Sequence, residues 1–366
     1  MRNAAARGVG EIDGRVIGRR AIFPRVLAER QREPGGGGPD RVDFLVVNQV
    51  RHTLSVLGPL DLELTFTCGQ AFRWVRENGA WSGVVGRAEV LARPDGAGAL
   101  AVDIRGEDPG EESLRHYLRL DEDPNVHLEH AEELRSIPGF LPLLGLRLLR
   151  QDPWEALASF VCSAAANIRK ITTCVEGIAR AWGDPIQGSV RSAFPPPEAI
   201  ARVREADLRE LGLGFRAPYL LATARKITAG RGWSWERMRT ERIEDARARL
   251  VALPGVGPKI ADCVLLFGLD RLEAYPVDRW IRRATSELSS RGRANDEELS
   301  DWARRLGPSR GYLQQILFHL RRTSGPLPAL ARRVRRPVTS GRPASSGRAQ
   351  RANGRAKRAR GRAGAR

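Results

Sequence analysis

The chain runs to 366 residues, enough for about two domains, and a hydrophobic content of 42% with eight tryptophans supplies a sizeable core. Its net charge of +18 sits at the ends: residues 326–366 carry thirteen Arg or Lys and no acid, residues 1–45 carry nine basic and six acidic side chains, and only +2 remains for residues 46–325. No apolar run approaches the ~20 residues that span a membrane, and Cys68, Cys162, Cys174 and Cys263 form no paired metal motif, so membrane spans and structural zinc are set aside.

Residues 1–45, with Gly35–Gly38 between Pro34 and Pro39, are expected to form a disordered arm. From about Asp43 to Gly106, apolar and β-branched runs are punctuated by Asn78-Gly79 and Pro94-Asp95-Gly96, which suit hairpin turns. From about Glu111 the pattern turns helical. Ser113–Leu120, Ala131–Arg135, Pro153–Cys162, Ile168–Trp182, Glu205–Leu211, Ala217–Thr228 and Ile243–Ala252 read as helices, and Pro195-Pro196-Pro197 as a turn before another. The predicted fold is α+β: an antiparallel β domain over 46–110, a mainly helical domain over 111–325, and a basic disordered tail over 326–366. Arg-rich ends suit a polyanion. Reduced thiols and the lack of a signal-peptide pattern place the chain in the cytoplasm (nucleoid) if bacterial and in the nucleus if eukaryotic.

Of 61 basic residues only four are lysine: Lys170, Lys226, Lys259 and Lys357. Arginine stays protonated and cannot serve as an amine nucleophile, so a lysine kept in a Gly/Pro turn stands out. Lys259 follows Leu253-Pro254-Gly255-Val256-Gly257-Pro258, which predicts one helix over Ile243–Ala252, a tight turn, and a second helix over Pro258–Phe267. Gly255, Val256 and Gly257 would bring backbone close to a DNA phosphate, as in a helix-hairpin-helix. Lys259, Cys263 and Phe267 follow at i, i+4 and i+8, so spacing predicts one shared face with an amine, a thiol and a ring. After Tyr275-Pro276-Val277, Asp278 would cap a helix over Arg279–Leu288 and could stabilise positive charge at a sugar carbon. A lysine that only contacts phosphate is the plainer alternative.

Leu253–Cys263 followed by Pro276-Val277-Asp278 resembles the helix-hairpin-helix-Gly/Pro-Asp DNA glycosylases. Cys68-Gly69-Gln70-Ala71-Phe72-Arg73-Trp74, Arg147–Pro153, Ser159–Ser163 and Leu211–Arg216 extend the likeness to 8-oxoguanine DNA glycosylases of the eukaryotic type. The resemblance implies a base excision repair enzyme acting as a monomer on double-stranded DNA with an oxidised purine. The damaged nucleotide is flipped out, Lys259 displaces the base through a Schiff base, and β-elimination nicks the strand. It also implies that Gly69 offers a carbonyl to the N7–H of 8-oxoguanine and that Gln314 reads the Watson–Crick edge. Phe318 and Cys263 sandwich the base, with Pro276 and Phe267 beside it. Phe215 would wedge into the duplex, while Arg216, Asn167 and Lys170 would face the opposite strand. Backbone carbonyls of Val251, Leu253 and Val256 would hold a monovalent cation, with no other cofactor and no iron–sulfur cluster. Two departures stand out: Ala165 and Lys170 replace an asparagine and an arginine, and Trp280 replaces a phosphate-contacting histidine. A related glycosylase with another oxidised-base substrate, or a non-catalytic DNA-binding protein, are the alternatives.

Overall fold

The computed structural model describes residues 50–96, 98–230, 232–289 and 295–330. The arm expected over 1–45 and the tail from 331 onward lie outside the described residues.

Strands β1 (Val50–Ser55), β2 (Val75–Glu77), β3 (Ala80–Val85), β4 (Ala88–Pro94) and β5 (Ala99–Gly106) form an antiparallel sheet in the order β1-β5-β4-β3-β2. Asn78 and Gly79 both take positive φ, 49° and 80°, as a two-residue hairpin turn requires. The β reading of the region passes over one helix, α1 (Leu62–Thr67). Asp61 caps it by accepting the Leu64 N–H at 2.9 Å, and Phe66 from its inner face stacks on Trp74 at 3.9 Å. Leu54, Val90, Leu100, Val102 and Ile104 form the sheet's core together with Leu114 of α2 (Glu111–Tyr117).

The helix expected over Ala131–Arg135 is instead part of three 3-10 turns, Pro124–Leu128, Glu132–Ser136 and Leu141–Gly145. Leu128, Ala131, Leu134, Ile137, Phe140, Leu143 and Leu146 recur at every third position, and each N–H after the first donates to the residue three back. An apolar period of 3.0 fits a 3-10 helix, whose side chains eclipse at i and i+3, better than the 3.6 of an α-helix.

The remaining helices are α3 (Pro153–Cys162), α4 (Ile168–Trp182), α5 (Pro197–Ala201), α6 (Glu205–Glu210), α7 (Ala217–Ala229), α8 (Trp235–Thr240), α9 (Ile243–Val251), α10 (Pro258–Gly268), α11 (Arg279–Leu288), α12 (Asp296–Arg305) and α13 (Arg310–Ser324). α3 and α10 meet at the centre of the helical core, where Phe160 stacks on Phe267 at 5.4 Å. Beyond α13 the chain stays ordered further than residue 325. The Leu327 N–H donates to the Glu287 carboxylate at 2.9 Å and the Leu330 N–H to the Leu288 carbonyl at 3.0 Å, which pins the segment to α11. Among the described residues, no helix is long and apolar enough to cross a membrane.

Three residues of two sequence motifs join the sheet to the helices. Buried Gln70 donates to the carbonyls of Thr65 and Arg147 and accepts the Leu149 N–H. Buried Arg147 donates to the carbonyls of Arg119, Glu122, Leu57 and Pro59. Gln151 donates to the Gln70 carbonyl through its side chain and to the Phe267 carbonyl through its backbone. Buried groups without partners carry a large desolvation cost, so these bonds fix how the Cys68-Gly69 turn meets α10 and α13.

Candidate active site

The hairpin forms as its sequence predicts, α9, a turn, then α10 with Pro258 at its first position. Gly255 has φ +75°, and a Cβ there would stand 2.6 Å from the Cβ of Tyr219, so both backbone angle and space demand glycine. Gly257 differs from expectation: it is extended, at φ −89°, and a Cβ would meet nothing within 4 Å. It has no side-chain cap, so N–H groups of the first turn of α10 remain open to an anion. Helix α7 braces the turn from behind, with Thr223 Oγ1 donating to the Pro254 carbonyl at 2.9 Å and Lys226 Nζ to the Ala252 carbonyl at 2.6 Å.

Lys259 is half-buried in the first turn of α10, with Nζ 5.2 Å from the centroid of the Phe160 ring. That ring lies on Phe267, which is 2% exposed. Spacing along α10 puts Phe267 on the lysine's face, but the aromatic wall that reaches the amine is Phe160 from α3. Cys263 is the next group along the face. Burial pushes its thiol up to about 11; the Lys259 charge and hydrogen bond pull it down, while Asp262 and Asp278 push it up.

Asp278 caps α11, its Oδ1 accepting the N–H groups of both Trp280 and Ile281 at 2.9 Å. Capping holds the carboxylate at the start of the helix, beside buried Pro276. The Pro276 carbonyl accepts a 3.0 Å hydrogen bond from Gln314 Nε2 on α13. Gln314 is 4% exposed, and its Oε1 is buried without a partner among the described residues. Phe318, one turn later, is half-buried, with the Arg322 guanidinium 5.2 Å from its ring centroid.

Gly69 reaches this place from the sheet region. Gln315 Nε2 donates to the Cys68 carbonyl at 3.1 Å, tying the turn to α13. Gly69 has φ +91°, and a Cβ on it would lie 3.2 Å from Ile168 Cδ1 and 3.8 Å from Arg322 Nη1. Its carbonyl accepts no hydrogen bond among the described residues. Gln314, Phe318 and Arg322 of α13 thus link Pro276, ahead of Asp278, to the Gly69 turn, while Lys259 and Cys263 share one face of α10. Sequence reasoning missed Phe160, Gln315 and Arg322. The first lay within a quoted motif and the second adjoins Gln314; Arg322 carries no local signal.

The residues expected to face the opposite strand differ in exposure. Phe215 is 53% exposed, as a wedge must be. Arg216 is buried instead, its Nε donating to the Ala164 carbonyl at 2.5 Å and Nη1 to the Leu213 carbonyl at 3.2 Å. Asn167 caps α4 by accepting the Lys170 N–H at 2.9 Å, a structural task for its side chain. Lys170 is exposed, and its Nζ passes over Gly212. Ala165 is exposed at φ +50°, a left-handed conformation costly for alanine. Around the Trp280 ring lie Arg279, Arg283 and Arg321, at 5.0, 5.5 and 5.8 Å.

The hairpin carbonyls expected to hold a cation are those of Val251, Leu253 and Val256. Those of Val251 and Val256 accept no hydrogen bond among the described residues, and that of Leu253 accepts one long bond, 3.2 Å, from the Val256 N–H. Three oxygens so lightly engaged fit a hard monovalent cation. Elsewhere among the described residues no group of three His, Cys, Asp or Glu could hold a metal.

Family models match the chain over most of its described length. Residues 55–157 match the N-terminal domain of 8-oxoguanine DNA glycosylase, and residues 158–307 match the helix-hairpin-helix-Gly/Pro-Asp superfamily of base excision DNA repair proteins. The chain is 32% identical to a probable N-glycosylase/DNA lyase of Methanothermobacter thermautotrophicus, over 75% of this chain and 97% of that protein. It is 34% identical to the N-glycosylase/DNA lyase of Saccharomyces cerevisiae, over 59% of this chain and 64% of that one. Among solved structures it resembles the Clostridium acetobutylicum 8-oxoguanine glycosylase/lyase bound to double-stranded DNA, with cytosine opposite 8-oxoguanine. That match has 30% identity and a TM-score of 0.65, and covers 72% of this chain and 92% of that chain. With the hairpin, the lysine and the capping aspartate in one fold, this chain belongs to the 8-oxoguanine DNA glycosylase/lyase family of the helix-hairpin-helix-Gly/Pro-Asp superfamily.

Proposed function

We propose that the chain excises 8-oxoguanine from duplex DNA and cleaves the resulting strand, with Lys259 as nucleophile and Asp278 as its electrostatic partner. The observation that carries the reading is Lys259 in the first turn of α10 over the Phe160 ring, with Asp278 capping α11 and Pro276 just ahead of it bonded to Gln314, whose buried Oε1 has no partner among the described residues. The duplex backbone docks on the hairpin turn at Gly255, Val256 and Gly257, where the first turn of α10 leaves N–H groups open. Phe215 wedges into the stack as the damaged nucleotide leaves it, with exposed Lys170 along the opposite strand, while Arg216 braces the loop at Ala164 and Asn167 caps α4. The base enters between Cys263 and Phe318, bordered by Pro276 and, behind Phe160, Phe267. Gln314 Oε1 accepts from its Watson–Crick N–H groups, and the Gly69 carbonyl accepts its N7–H.

The Lys259 nitrogen forms a bond to C1′ while the C1′–N9 bond breaks, its electron pair leaves with the base, and the base takes up the proton that the nitrogen sheds. Asp278 stabilises the positive charge that builds on the sugar during that step. Opening of the sugar ring then turns the C1′ amine adduct into a Schiff base. Loss of a proton from C2′ expels the 3′-phosphate, which is the strand cut. The carbonyls of Val251, Leu253 and Val256 would hold a monovalent cation that offsets negative charge where phosphate approaches.

Borohydride trapping on duplexes with 8-oxoguanine opposite each of the four bases tests the reading. The wild-type chain should form a covalent adduct, and Lys259→Gln should form none. Normal trapping by Lys259→Gln would remove the mechanism, and failure to process any of the four duplexes would remove the substrate.

A further inference from the structure

Arg322 stands in the last turn of α13, half-buried, one helical turn beyond Phe318. Its guanidinium lies 5.2 Å from the Phe318 ring centroid, and Nη1 is 3.8 Å from where a Cβ of Gly69 would stand. Unlike its neighbour Arg321, held by Glu287 at 2.8 Å, Arg322 makes no ion pair or hydrogen bond among the described residues. The half-buried guanidinium thus offers donors that no protein acceptor among the described residues occupies. On the same residue that Nη1 approaches, the Gly69 carbonyl is an acceptor with no donor among the described residues. One donor and one acceptor side by side match a ligand edge that offers an acceptor next to a donor.

A guanine oxidised at C8 presents that edge. N7 carries a hydrogen and the adjoining C8 carries a carbonyl oxygen, whereas unmodified guanine offers a bare N7 acceptor and a C8–H. We infer that Arg322 is a specificity residue that donates to the C8 oxygen of the flipped base while Gly69 accepts the N7–H. The inference rests on the base pocket proposed above. Together the two groups oppose guanine twice: N7 would face the Gly69 oxygen lone pair, and the C8–H would leave a guanidinium unpaired. Sites built to hydrogen-bond a substrate group reject analogues that lack it strongly, because the site's own polar groups are left without partners.

The test uses Lys259→Gln chains, which bind without turnover, and duplexes carrying 8-oxoguanine or guanine opposite cytosine. The parent chain should prefer the 8-oxoguanine duplex. Adding Arg322→Met, which keeps an apolar stem against Phe318, should lower that preference by roughly 10- to 100-fold, as for loss of a charged hydrogen bond. Affinity for the guanine duplex should change less than about twofold, which also reports an intact fold. An equal loss on both duplexes would identify Arg322 as a phosphate contact and overturn the inference; so would an unchanged preference. A parent chain with no preference would instead remove the substrate reading itself.

Discussion

Gln314 donates its side-chain amide to the Pro276 carbonyl at 3.0 Å, and that single bond leaves its buried Oε1 facing the base pocket without a partner among the described residues. An unpaired buried acceptor costs free energy in the empty protein and is recovered when a ligand N–H reaches it. Gln314→Leu should therefore slow excision of 8-oxoguanine by roughly 10- to 100-fold in single-turnover assays. It should also shift the melting temperature by no more than about 2–4 °C, since only the bond to Pro276 is lost. A large melting shift with unchanged excision would show that Gln314 is structural.

Asp278 does two things at once, and two substitutions separate them. Asp278→Asn keeps an oxygen that can accept from the Trp280 and Ile281 N–H groups. Asp278→Ala removes the cap and should cost about 1 kcal/mol of stability in chemical denaturation. Both should lower the excision rate at least ~100-fold if the charge matters to the sugar's transition state. Near-normal excision by Asp278→Asn would reduce Asp278 to a helix cap.

Ala165 sits at φ +50° on the exposed edge near Phe215 and Arg216. Glycine takes that conformation without penalty, and asparagine takes it better than alanine. Ala165→Gly is expected to raise stability by about 0.5–1 kcal/mol, and Ala165→Asn by less. Only asparagine also supplies bulk and hydrogen-bonding groups toward the space vacated by a flipped base. Excision measured opposite all four bases should gain selectivity for cytosine with Ala165→Asn and stay unchanged with Ala165→Gly.

Glu155 gives a pH signature. Burial pushes its carboxyl from an ordinary 4.5 up to about 7; Arg73, with Nη1 at 3.6 Å, opposes the rise, and Asp152 and Glu176 add to it. The folded state thus holds this proton where the unfolded state has released it. Stability from this group is present below pH 4.5 and is lost as pH rises toward about 7. Denaturation of Glu155→Gln between pH 4.5 and 8 should show a flatter decline than wild type. An identical slope would mean that Glu155 titrates normally.

Lys226 places an ammonium on the Ala252 carbonyl, next to the oxygens of Val251 and Leu253. That charge competes with a monovalent cation at the hairpin. Lys226→Met should bind thallium(I), used as a potassium mimic, more tightly than wild type by anomalous diffraction or titration. Equal binding would place the ammonium out of electrical contact with the cradle.

Much of this site is legible in the sequence because its signals are local. A proline at the first helical position, a glycine that must take φ +75°, and an aspartate ahead of Trp280 and Ile281 each act within a few residues. They predict the hairpin, the place of Lys259 and the start of α11, since capping and steric limits need no distant partner. The apolar period was legible too, though between residues 128 and 146 it was 3.0, which produced 3-10 turns where an α-helix was expected. Tertiary structure alone decided what surrounds the amine. Phe160 rather than Phe267 reaches Lys259, Gln315 grips a carbonyl 247 residues away at Cys68, and Arg322 comes to rest beside Gly69. Those contacts join sheet to helices through the close packing of whole surfaces, a property that no local window of sequence contains.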